Sequence, residues 1–153
     1  MRFTSLFAAA SRLGGNMLTA ATKYIPAELS EDKRYANAYA AILASLVAAD
    51  FEIEEDETIA ALNHIQSDAD LLKNGLVSHT LGFYAQFIEE FAACNGAVPQ
   101  ILVARAQILE KNVRCIANGS HKFALYGMAK SLVGVQANVQ EKQVLAEVQN
   151  ILL

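Results

Sequence analysis

The chain of 153 residues contains two cysteines, two prolines, eight glycines and no tryptophan, and each scarcity excludes something. Cys94 and Cys115 are far apart and belong to no C-x-x-C pair. A disulfide scaffold or a cysteine-built zinc site is therefore out of reach, and both read as buried thiols in a reducing cytoplasm. Few prolines and glycines rule out collagen-like and proline-rich architectures. Apolar residues at 54% against 18% charged leave ample material for a core and rule out disorder. His64, His79 and His121 are scattered, form no H-E-x-x-H, and read as packed or surface histidines. No G-x-x-x-x-G-K-[ST], G-x-S-x-G or G-x-G-x-x-G occurs, which removes the commonest nucleotide-binding and hydrolase signatures. A formal net charge of −4 argues against a nucleic-acid partner, which needs a basic face. The longest charge-free runs, residues 35–49 and 74–88, would reach only ~22 Å as helices, short of a ~30 Å hydrocarbon core. Both read as buried helices.

The charge that is present is uneven. Residues 1–27 carry Arg2, Arg12 and Lys23 and no acid, whereas residues 28–153 sum to −7. Phe3, Leu6, Phe7, Ala10, Leu13 and Met17 recur at helical spacing, so the first 25 residues form a basic amphipathic segment. Its run of apolar residues resembles a signal peptide faintly, but Arg12 interrupts it. Three cations are few for a membrane surface, so packing onto the acidic body is the preferred reading, with membrane contact through residues 1–25 as the other. The expected location is cytoplasmic or membrane-peripheral.

The rest reads as helices, because apolar residues recur at a period of 3.6 and nowhere alternate for long. Ser30 is placed to cap a helix whose stripe is Tyr35, Tyr39, Ile42, Leu46 and Ala49. A second helix carries Ile59, Leu62 and Ile65. Asp68 or Asp70 caps a third with Leu71, Leu72 and Leu76, and Tyr84, Phe87, Ile88 and Phe91 line a fourth ending at Asn95-Gly96. Pro99 suits the first turn of a fifth, through Leu102, Ile108 and Leu109. Ser120 is assigned as cap of a sixth with Phe123, Leu125, Met128 and Leu132. Asn138, with Glu141 three residues on, forms a capping box for the last. The prediction is one all-α bundle of about seven helices, with the aromatic stripes as core rather than a cofactor pocket.

One segment stands apart. Residues 50–57 hold six carboxylates in eight positions, between two helices. Glu55, Asp56 and Glu57 suit the opening turn of the second helix, where negative charge complements the dipole. Asp50, at the end of the first helix, lies at the wrong pole for that account. The competing reading has Asp50, Glu52 and Glu57 converging on a hard divalent cation, Ca2+ or Mg2+, bound weakly because one short loop supplies only part of the 6–8 oxygens calcium takes. The run is not an EF-hand: it lacks the central glycine, and the twelfth position is Ala61.

The stretch from Ala40 to Glu57 resembles the signature of the tellurite-resistance TerB-like family, an alanine-rich helix followed by A-D-G-x-[VI]-x-x-x-E. Ala49, Asp50, Ile53 and Glu57 match, while Phe51 replaces the glycine. The family has two similar halves, and the stretch from Gly134 to Glu141 has the span of the second motif, with Glu141 matching and Gly134 in place of Asp. The resemblance covers residues 30–153. It implies a TerB-like fold of two pseudo-repeated halves, divalent-cation binding at the acidic turns with Glu141 as a further candidate ligand, and a role in tellurite resistance, stress or phage defence beside membrane-associated partners. Phenylalanine at 51 is expected to keep the chain out of positive φ, and Gly134 removes a carboxylate, which together imply a divergent member with a partly or wholly lost ion site.

The function expected is a non-enzymatic module that binds a cation or a protein partner through the acidic turn, with Glu54, Glu55, Asp56, Arg2 and Arg12 as partner-binding residues. The alternative is an adaptor encoded by a phage or mobile element that keeps the fold without the ion. Catalysis through Glu89 and Glu90, or through Glu52 and Glu57, is disfavoured, since adjacent helical residues point about 100° apart.

Overall fold

The charge-free run 35–49 becomes the axis of the molecule. In a computed structural model that describes residues 24–134 and 137–153, every residue from Tyr35 to Ala49 is buried. Regular structure among these residues is helical throughout: a 3-10 turn at Pro26–Glu28, then α1 (Glu31–Val47), α2 (Glu55–Ser67), α3 (Ala69–Lys73), α4 (Val77–Ala92), α5 (Val98–Val113), α6 (Gly119–Val133) and α7 (Val139–Leu152). The expected all-α bundle is what forms. The basic segment with Arg2 and Arg12 lies outside the described residues as far as residue 23. Tyr24 already belongs to the packed body: its hydroxyl donates to Asn112 Oδ1, and its ring stands edge-on to Phe83 with centroids 4.9 Å apart.

α1 packs most extensively on α4 and α5, and α2, α6 and α7 complete its coat. A helix surrounded on all sides needs no polar face, which is why its sequence shows an absence of charge more clearly than a stripe. None of the helices among the described residues is long and apolar enough to cross a membrane.

Local chemistry fixes the helix ends. Ser30 Oγ accepts from the Lys33 N–H, and Asn138 and Glu141 close a capping box at the start of α7. Asp68 caps α3 by accepting from the N–H groups of Asp70 and Leu71, and its other oxygen accepts from Tyr39 Oη at 3.0 Å. Asn118, not Ser120, caps α6, accepting from the N–H groups of Ser120 and His121. Phe123 is 83% exposed, contrary to its assignment to the buried stripe of α6. Two positions on a helix differ by about 200°, so Phe123 and Leu125 face opposite ways, and Leu125 is the buried one. Leu72, Leu102 and Leu132 are likewise exposed, and Ile59 marginally so, each at the edge of its helix's buried face. Cys94 and Cys115 are free and half-buried rather than fully enclosed.

Candidate functional site, an acidic corner

The corner between α1 and α2 is built by a tight turn. Beyond Val47 the Phe51 N–H bonds back to the Ala48 carbonyl at 3.0 Å, and Phe51 takes φ 68°. The expectation that phenylalanine would keep this position out of the left-handed region is therefore corrected. Its ring packs against the core, and that contact holds a conformation which glycine reaches without cost. Asp50 Oδ1 accepts from the Glu52 N–H at 3.2 Å, so the aspartate folds over the turn toward α2.

Glu54 occupies the N-cap position of α2, makes no side-chain cap bond, and is followed three residues later by Glu57. That spacing puts the two carboxylates on one face of the first turn. One oxygen each of Asp50, Glu54 and Glu57 lies within 4.8 Å of the others. None of the three is salt-bridged to a lysine or arginine among the described residues. Glu57 is pushed up from 4.5 to about 7, first by burial, then by the charges of Asp50, Glu54 and Glu141, with a hydrogen bond to Glu54 adding to it. The helix N-terminus acts in the opposite direction, favouring the anion, and is overcome.

Asp50, Glu57 and Glu141 line one cleft of about 260 Å³, together with His64, Asn138 and an aliphatic wall that includes Leu43, Leu46, Val47 and Leu132. Of the residues read as metal ligands, the structure brings Asp50 and Glu57 together and sets Glu141 on the same cleft. Glu141 also serves its own helix, its Oε1 accepting from the Asn138 N–H at 3.4 Å. Glu52 is the departure: it lies outside the cluster, on a neighbouring depression lined by Phe51, Ile53 and Phe91, because the left-handed turn at 51 sends it away from Asp50. Glu54, read as a partner-binding residue, takes its place in the carboxylate cluster, and the three-residue spacing to Glu57 is the signal that marks it in the sequence. Glu55 and Asp56 stay in the first turn outside the cluster. Glu89 and Glu90 are exposed on α4 and lie outside the cleft. At the second turn, Gly134 adopts φ 54° and ψ 175°, a backbone open essentially to glycine alone, so the residue that removes a carboxylate also makes the turn. His64 and Leu132 on the cleft wall carry no sequence signal that sets them apart.

No protein-family model, curated protein or solved structure matches the chain.

Proposed function

We propose that the protein is a non-enzymatic helical module of the TerB-like, tellurite-resistance type that binds a divalent cation weakly at its acidic corner. The observation that carries this reading is the convergence of Asp50, Glu54 and Glu57 within 4.8 Å, with no lysine or arginine among the described residues bridged to them. The donor set is all carboxylate oxygen, which suits hard cations such as Ca2+ and Mg2+ rather than thiophilic metals. Calcium takes about 6–8 oxygens. The three carboxylates cover part of that shell, Glu141 stands near enough to raise Glu57, and water completes it, which is why the affinity is low. A cation relieves the same repulsion that a proton relieves at Glu57, so calcium and the proton compete.

Calorimetric titration of metal-free protein with calcium at pH 8 tests the reading. Expected is a saturable heat in the range of about 10⁻⁴–10⁻³ M, weaker at pH 6, where Glu57 is largely protonated. No heat and no thermal shift at millimolar calcium would overturn it, and would favour an adaptor that keeps the fold without an ion.

A further inference from the structure

α5 carries an outward face that is left uncovered among the described residues. From Val98 to Gln107 its one charged residue, Arg105, is buried on Glu147, so the exposed side of about three turns holds no charge. A helix face turned to water is normally charged or polar, yet here Val103 is 57% exposed. Gln100, Val103, Ala104, Gln107, Ile108 and Lys111 recur at intervals of three and four, which makes one stripe along the helix. They line two depressions that share Ala104 and Gln107 and so run together as one groove, bounded at its Lys111 end by Phe87 and Glu90 of α4.

The groove already holds the first described residue of the chain. Tyr24 stands in it at the Lys111 end, edge-on to Phe83, with its hydroxyl on Asn112 and the Lys111 ammonium 4.1 Å from its ring centre. The residues before it therefore set out from inside the groove. Their apolar stripe from Phe3 to Leu13 covers ten helical rises, ~15 Å, against eleven rises, ~17 Å, from Gln100 to Lys111. Residues 14–23 remain to join the two, with a reach of up to ~35 Å. The charges fit as well. Arg2, Arg12 and Lys23 are the segment's only ionic side chains, and Glu90, exposed on the groove's rim, is bridged to no lysine or arginine among the described residues.

We propose that the groove between α4 and α5 is the docking site of residues 3–13 of the same chain, their apolar stripe against Val103, Ala104 and Ile108 and their cations toward Glu90. Docked there, the segment covers the one uncharged helix face that a membrane or a second copy would otherwise meet, so its release and the exposure of α5 are a single event. The groove shares no residue with the acidic cleft, and the docking is independent of the cation reading.

Trypsin reads the docking on the full chain, because Arg12 lies within the segment and cleavage after it requires the segment to leave the groove. Followed by mass spectrometry, that cleavage should be at least about tenfold faster in Val103→Asp than in the parent, since the variant sets a carboxylate under the apolar stripe. Glu90→Lys should speed it severalfold by repelling the segment's cations. Phe123→Asp, at an 83% exposed apolar position on α6, should leave it unchanged. Far-UV circular dichroism of all three variants should match the parent, so that a faster cut reports release and not unfolding. One rate for all four proteins, or equal acceleration by Phe123→Asp and Val103→Asp, would overturn the proposal. Protection of Arg12 that weakens on dilution of the parent would assign the groove to a second copy. Protection that arises only with phosphatidylserine vesicles would assign the segment to a membrane, and either result overturns docking within one chain.

Discussion

Phe51 sits where two local terms oppose each other. A left-handed φ costs a non-glycine residue about 1–2 kcal/mol, and its ring, half-buried against the core, returns a comparable amount of hydrophobic stabilisation. The pair Phe51→Ala and Phe51→Gly separates them. Alanine keeps the backbone cost and loses the ring. Glycine loses the ring but also loses the backbone cost, partly offset by about 0.5–1 kcal/mol of added unfolded-state freedom. Both variants should unfold below the parent, with glycine above alanine by about 0.5–1 kcal/mol in urea titration. Alanine at or above glycine would mean that position 51 is not held left-handed. The same residue explains the placement of Glu52. A sequence pattern treats positions 50, 52, 54 and 57 as one acidic run, whereas a single left-handed residue decides which of them meet.

At the scale of elements, the helix ends were legible because each depends on residues three or four apart. Ser30, Pro99 and the Asn138–Glu141 box act within one turn, so a short window contains the whole interaction. Asn118 outcompeted Ser120 for the cap of α6 because the chain bends before Gly119, a choice that turns on one residue of backbone rather than on composition. What joins helices was not legible. Arg105 on α5 is 3% exposed and forks onto Glu147 of α7, its Nε and Nη2 donating at 2.9 and 2.7 Å to the two carboxylate oxygens. Nothing within reach of either residue in sequence announces a pair 42 positions apart. Glu147→Ala strands a buried guanidinium and should cost about 3 kcal/mol, the low end of such losses because Glu147 is itself 31% exposed. In a chain of this size that is a Tm lower by roughly 6–12 °C. Arg105→Met, of similar length and without charge, should cost less than Glu147→Ala. The reverse order would show that the pair contributes by attraction more than by avoiding a lone buried charge.

Across the whole molecule, two groups titrate against each other. His79 of α4 is buried against α1, its Nε2 2.6 Å from Asn37 Oδ1, and burial, then the charge of Lys33, pushes it from 6.5 down to about 4. Between those values the unfolded chain binds a proton that the folded chain does not, so stability falls as pH drops through that window. Glu57 behaves oppositely. Its folded value of about 7 lies above the unfolded 4.5, so the folded chain holds the extra proton, and stability falls as pH rises through that window. Where the windows overlap, from pH 4.5 to 6.5, the two slopes oppose. Melting in chelator-containing buffers should therefore give a shallow pH profile for the parent across this range. His79→Gln should steepen it so that Tm falls with rising pH, and Glu57→Gln should tilt it the other way. Above pH 7, where the ionised Glu57 faces Asp50 and Glu54, Glu57→Gln should melt higher than the parent, and millimolar calcium should raise the parent toward the variant while leaving the variant in place. Parallel profiles for the two variants would mean that neither group sets the pH response. A variant that still responds to calcium would move the ion away from Glu57.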